Sequence, residues 1–81
     1  MRIRIVAVGR VLDGSPLQIV SQMQSLAFGK DRIAVTEYID WIVATAAEVM
    51  GVQMSIEGET PEEKARSLIS EMLRTKLAEV M

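Results

Sequence analysis

The segment EYIDWIVATAAEVM, at residues 37–50, constrains the fold more than any other part of the sequence. Its apolar spacing predicts an α-helix that Thr36 caps and Gly51 ends. Only four of the 14 residues are polar or charged, so apolar side chains cover most of the circumference of this predicted helix. A helix of that composition must be covered by neighbouring structure on nearly every side.

A chain of 81 residues has little structure with which to cover such a helix. Domains of this size bury only about 60–65% of their unfolded surface, and many need a disulfide, a metal ion or a partner subunit for stability. The chain contains no cysteine and no histidine, which excludes disulfides and thiolate or imidazole metal ligands. We therefore predict a single domain over residues 1–81 that is completed by forming a homodimer.

Alternation of side chains predicts two strands. Residues 2–12, RIRIVAVGRVL, are rich in β-branched side chains and begin with arginine and isoleucine on alternate faces. Gly9 within this run is typical of a bulge or a close backbone approach. Residues 52–57, VQMSIE, alternate apolar and polar side chains and predict a second, half-buried strand.

The two other predicted helices begin with the same capping pattern. Ser15 precedes a proline and is followed three residues later by Gln18, which is typical of a capping box. We expect the helix after it to end near Phe28. The stretch TPEE at residues 60–63 repeats the pattern before a third helix that reaches about residue 78. The predicted order is therefore β-α-α-β-α, a small α+β fold in which two short strands pack with three helices.

Few residues in the sequence are suited to catalysis or to cofactor binding. No serine, threonine, lysine or carboxylate stands beside an evident base. Gly9 and Gly14 have the spacing of a phosphate-binding loop, but Ser15 occupies the position where that loop needs lysine. The acidic cluster at residues 57–63 matches no calcium-loop pattern, and we interpret it as surface and helix-start carboxylates. We predict a non-enzymatic protein without a metal ion or cofactor.

The sequence also predicts that the protein does not enter a membrane. No apolar run approaches the ~20 residues that a membrane-spanning helix requires. Arg2 and Arg4 precede the run IVAVG as in a signal peptide, but Arg10 interrupts that run and no suitable cleavage pattern follows. The absence of cysteine fits a reducing compartment, so we expect a cytoplasmic protein.

Two features favour self-association through the first two predicted helices. Residues 14–29 contain no charged side chain, and the whole chain contains six methionines. The centres of protein interfaces are depleted in charge and enriched in methionine and aromatic residues. Together with the strongly apolar second helix, this predicts a dimer interface on these helices. The expected interface residues are Met23, Leu26, Tyr38, Trp41, Ile42, Thr45 and Val49.

Residues 2–50 leave a nucleic-acid alternative open. A predicted strand with Arg2 and Arg4 on its outward face precedes two helices, and this order resembles that of ribbon-helix-helix repressors. The resemblance implies that strands of two chains pair and insert Arg2 and Arg4 into the major groove, while Thr36 holds a phosphate. The net charge of −2 argues against a general nucleic-acid binder. A homodimeric protein-interaction module is therefore our leading hypothesis, with a ribbon-helix-helix-like regulator as the alternative.

Overall fold

A computed structural model describes residues 1–81 and confirms the predicted α+β class, with three α-helices and one three-stranded antiparallel sheet. The strands are β1 (Arg2–Ile5), β2 (Arg10–Asp13) and β3 (Ala78–Val80). The helices are α1 (Pro16–Leu26), α2 (Val35–Thr45) and α3 (Pro61–Arg74), and a π-helical turn at Ala46–Met50 continues α2. Each of these elements contributes to one core cluster of 14 buried apolar residues.

The predicted order β-α-α-β-α is wrong in its strands, because the chain begins with two strands and ends with a third. Residues 2–12 form a hairpin rather than one strand, and Ile5 pairs with Arg10 across a turn at residues 6–9. Gly9 adopts a φ of +67°, which glycine takes without steric cost, and its amide donates to the Ile5 carbonyl at 2.8 Å. Gly9 is therefore a turn residue and not a bulge.

Residues 52–57, predicted as a strand, run beside α3 without joining a sheet. Their alternation is correct, since every second side chain packs against the core. The inward side chains are Val52, Met54 and Ile56. The backbone of this segment bonds to side chains of α3 instead of to a second strand: the Ser55 amide donates to Glu71 Oε1 at 2.9 Å, and the Glu57 amide donates to Ser67 Oγ at 3.0 Å. The alternation of apolar and polar side chains shows which side of the segment is buried. It does not show which groups form hydrogen bonds with the backbone.

The third strand lies where the sequence pattern predicts the end of a helix. α3 ends at Arg74 rather than near residue 78, and Lys76 adopts a left-handed φ of +64°. The Leu77 carbonyl then accepts a hydrogen bond from the Val6 amide at 3.0 Å, and β3 pairs antiparallel with β1. No glycine or proline marks this helix end, so pairing with β1 and burial of Ala78 override the local helix preference.

The capping boxes predicted for α1 and α3 are both confirmed. Ser15 Oγ accepts from the Gln18 amide at 3.2 Å, and Gln18 Oε1 accepts from the Ser15 amide at 2.8 Å. Thr60 and Glu63 exchange the corresponding pair of bonds at the start of α3. These bonds satisfy amides that the first turn of a helix leaves without a partner.

The predicted cap of α2 is wrong. Ala34 occupies the N-cap position without a side-chain hydrogen bond, so Thr36 lies inside the first turn. The loop before α2 is fixed from another direction, because the buried Gln24 side chain donates to the Ile33 carbonyl at 2.6 Å. A contact from α1 therefore sets where α2 begins, and this contact is invisible in the local sequence.

Glu71 links α3 to the segment before it and allows a test of this arrangement. Its carboxylate accepts hydrogen bonds from the Arg74 side chain and the Ser55 amide, which together lower the pKa of Glu71 from 4.5 to about 2. Because this pKa is depressed in the folded state, the stabilisation is complete above about pH 4.5 and is lost as the pH falls through about 2.

We predict that Glu71→Gln lowers the free energy of unfolding at neutral pH. The difference from the unsubstituted protein should shrink as the pH falls from about 4.5 toward about 2. Urea titrations followed by circular dichroism at a series of pH values measure this difference. Glu59→Gln, which removes an exposed carboxylate before α3, controls for the change in net charge. Equal effects of the two variants at every pH would contradict the role assigned to Glu71.

Candidate functional site

An apolar groove opens between the tip of the β1–β2 hairpin, the end of α1, and α2 with its π-helical turn. It encloses about 330 Å³, and 15 of its 17 lining residues are hydrophobic. Arg10, at the start of β2, and Thr45, at the end of α2, are the two exceptions. Met72 of α3 and Leu77 complete the lining from the C-terminal part of the chain.

All seven residues that the sequence predicts for an interface line this groove. They are Met23, Leu26, Tyr38, Trp41, Ile42, Thr45 and Val49. Residues three, four and seven positions apart share one face of a helix, which is why helical spacing identifies them. The sequence pattern does not identify Val8 and Arg10, because they reach the groove only through the hairpin turn. The loss of polar and apolar alternation after Ile5 is the signal that marks this turn.

Large apolar side chains around the groove remain uncovered in the single chain. The exposed fraction is 75% for Val49, 72% for Val8, 53% for Leu26, 52% for Met50 and 37% for Trp41. Since large apolar side chains have areas on the order of 150–250 Å², these fractions correspond to about 500 Å² of apolar surface. The largest apolar patch on a typical monomeric protein is about 300–600 Å², and that patch is often a binding site.

The π-helical turn at Ala46–Met50 places two of these side chains. The Gly51 amide closes the turn by donating to the Ala46 carbonyl, and Gly51 adopts a φ of +68°. A π turn spans one more residue per hydrogen bond than an α turn, so it shifts Val49 and Met50 from the positions that a continuous α-helix would give them, while both still line the groove. Such turns are rare and frequently occur at functional sites. Both side chains remain exposed in the single chain.

Tyr38 and Trp41 form the aromatic part of the groove. Their ring centroids are 5.9 Å apart, and Lys30 Nζ lies 4.6 Å from the centroid of the Trp41 ring, within the range of a cation–π contact. Tyr38 is buried, and burial raises the pKa of its phenol to about 12. No carboxylate lines the groove. Its chemistry therefore suits the binding of apolar side chains.

A second, polar cavity of about 570 Å³ lies between α3 and the segment before it. None of its eight lining residues is hydrophobic. Two of them, Ser67 and Glu71, accept hydrogen bonds from the amides of Glu57 and Ser55. These acceptors hold the segment against α3, so the cavity is explained by the fold.

The three residues predicted to contact DNA in the ribbon-helix-helix alternative lie outside the groove. Arg4 pairs with Glu79 at 2.6 Å, Arg2 is exposed, and Thr36 lies within the first turn of α2. β1 is the central strand, with β2 at one edge and β3 at the other. In a ribbon-helix-helix dimer the first strand pairs with its own copy, so the strand edges that the resemblance requires are already occupied.

Tyr38 is the only tyrosine of the chain, so its ionisation can be followed directly. We predict that tyrosinate absorbance of the folded protein titrates with a pKa of about 12 instead of 10.0. Because this pKa is raised in the folded state, the stabilisation is complete below about pH 10 and is lost as the pH rises through about 12. Tyr38→Phe should remove this loss. A titration midpoint near the ordinary value in a protein that is still folded would contradict the burial of Tyr38.

Few other features of the chain bear on its function. No group of three or more histidine, cysteine, aspartate or glutamate side chains is placed to hold a metal ion. None of the helices has the length and the apolar composition of a bilayer-crossing segment. No protein-family model, curated protein or solved structure matches the chain.

Proposed function

We propose that this chain is a non-enzymatic self-association module in which two copies bury the groove and its rim against each other. The observation that carries the proposal is the set of five large apolar side chains left uncovered around one groove. Removing apolar surface from water is the main favourable contribution to most protein association. A second copy of the chain supplies an apolar surface of the same kind and size.

The available area is suited to a small dimer. Stable interfaces bury about 800 Å² on each partner, with an apolar centre and a polar rim. The exposed apolar surface at the groove accounts for about 500 Å² of this, on the side-chain areas used above. The polar side chains of α1, among them Ser21 and Ser25, are exposed and can supply part of the rim.

The distribution of charge favours a second copy as the partner. In a two-fold dimer the same surface patch occurs on both sides, so a charged residue near the axis faces its own copy. Residues 14–29, which include α1, carry no charged side chain, and Arg10 is the only charged residue that lines the groove. Lys30, whose Nζ lies 4.6 Å from the centroid of the Trp41 ring, adds a second cation at the rim, so like-charge repulsion between two such faces is limited to Arg10 and Lys30.

The nucleic-acid alternative has no comparable support. The net charge is −2, Arg4 is engaged by Glu79, and β1 has no free edge for pairing with a second chain. Binding to duplex DNA would instead appear as an affinity that falls steeply with salt and depends on Arg2 and Arg4. The compartment proposed with self-association is the reducing cytoplasm, in keeping with the absence of cysteine.

We predict that the protein sediments as a dimer at micromolar concentration. Trp41, the only tryptophan, lies in the groove and is 37% exposed in the single chain. Its fluorescence emission should therefore shift to shorter wavelength as the protein concentration is raised and the dimer forms. A monomer with constant emission over the whole concentration range would overturn the proposed function.

A charge placed in the groove should dissociate the dimer. Val49→Asp adds a carboxylate to an apolar surface that must lose its water on association, and we expect the dissociation constant to rise at least about tenfold. Val80→Asp makes the same change at a similarly exposed position on β3, outside the groove, and should leave the constant nearly unchanged. Sedimentation and circular dichroism measure association and folding separately. Equal weakening by both variants would place the interface elsewhere.

A further inference from the structure

We infer that Phe28 anchors the dimer by inserting its ring into the groove of the second copy, an inference that rests on the proposed self-association. Phe28 is fully exposed and belongs to neither the core nor the groove of its own chain. It directly follows Leu26 and Ala27, which do line the groove. A wholly exposed aromatic ring beside an apolar groove is the arrangement expected of an interface anchor, because buried aromatic side chains carry much of the energy of association.

The backbone that carries Phe28 is held in a defined turn. The Lys30 amide donates to the Ala27 carbonyl at 3.1 Å and Gly29 adopts a φ of +77°, as in a type II turn with Phe28 at its second position. The buried Gln24 side chain donates to the Lys30 carbonyl at 2.8 Å and to a second loop carbonyl at 2.6 Å. Because the turn is already ordered, insertion costs the rotamer freedom of the ring but no ordering of the loop.

The groove has the size and the lining that a phenyl ring requires. It encloses about 330 Å³, whereas an apolar cavity of about 150 Å³ already accepts benzene. Met23 and Met72 line it with flexible thioethers, which adapt to aromatic rings and contact them favourably. Tyr38 and Trp41 add rings with which an inserted phenyl group can pair.

Two-fold symmetry makes the contact reciprocal. Each chain has one Phe28 and one groove, so both rings are covered and both grooves are filled in a single closed dimer. The same contact made in one direction only would leave a free ring at one end and an open groove at the other. It would then propagate into longer assemblies.

Phe28→Ser tests the inference directly. Each dimer loses two inserted rings, so we expect its dissociation constant to rise by about 100-fold or more, as measured by sedimentation and by Trp41 emission. The circular dichroism of the monomer should not change, because Phe28 lies outside the core cluster of its own chain. Met81→Ser removes another exposed apolar side chain, away from the groove, and should leave the constant unchanged.

Mixing two variants distinguishes insertion from a general loss of apolar surface. Thr45→Glu puts a charge into the groove but keeps Phe28, whereas Phe28→Ser keeps an open groove but lacks the ring. Neither variant forms an insertion with itself, but one chain of each forms a single insertion. We therefore expect differently labelled chains to form heterodimers on mixing under conditions where each variant alone is monomeric.

The outcomes separate this inference from the proposed function. If the unsubstituted protein is a dimer and Phe28→Ser has the same dissociation constant, the role of Phe28 is wrong and self-association stands. Absence of heterodimers in the mixture would also overturn the insertion. Assemblies larger than a dimer would exclude the reciprocal arrangement. A monomeric unsubstituted protein would overturn the proposed function itself.

Discussion

The amount of apolar surface that 81 residues can cover sets the limits of this structure. The chain exposes 5062 Å², close to the roughly 4,900 Å² expected of a monomeric protein of its mass, so it is not loosely packed. α2 buries Tyr38 and Ile39, but Trp41 and Val49, the latter in the π-helical turn, remain uncovered. These side chains remain exposed although the chain is normally packed, and they surround one groove, where a second chain can cover them.

The small size of the chain also explains why side chains, and not further strands, form hydrogen bonds with the backbone of the loops. The strands contain only three or four residues each, so the sheet supplies few backbone hydrogen bonds. Glu71 and Ser67 of α3 therefore hold the segment before α3, and Gln24 of α1 holds the loop before α2. These polar contacts fix the loops without enlarging the core. The Gln24 contacts also determine where Phe28 stands relative to the groove.

Features that depend on neighbours along one helix can be predicted from this sequence. The capping boxes at Ser15 and Thr60 and the apolar faces of α1 and α2 are of this kind, and they suffice to identify seven residues of the groove. Features that depend on distant pairing cannot be predicted in the same way. β3 pairs with β1 from the opposite end of the chain, and its sequence AEV is equally compatible with a helix. The β1–β2 hairpin is a local pairing, and its turn is marked only by the loss of alternation after Ile5, which is a weaker signal than a capping box. Val8 and Arg10 reach the groove through that turn.

The central position of β1 also bears on how a second copy binds. Extension of the sheet across a dimer axis would have to use β2 or β3, which are its edge strands. Both are short, and they carry charged residues, Arg10 and Asp13 on β2 and Glu79 on β3, of the type that protects strand edges from pairing. The groove face has the opposite character, since it is apolar and carries only one charged residue. Side-chain packing at the groove is therefore the more favourable mode of association, and it leaves the sheet unchanged.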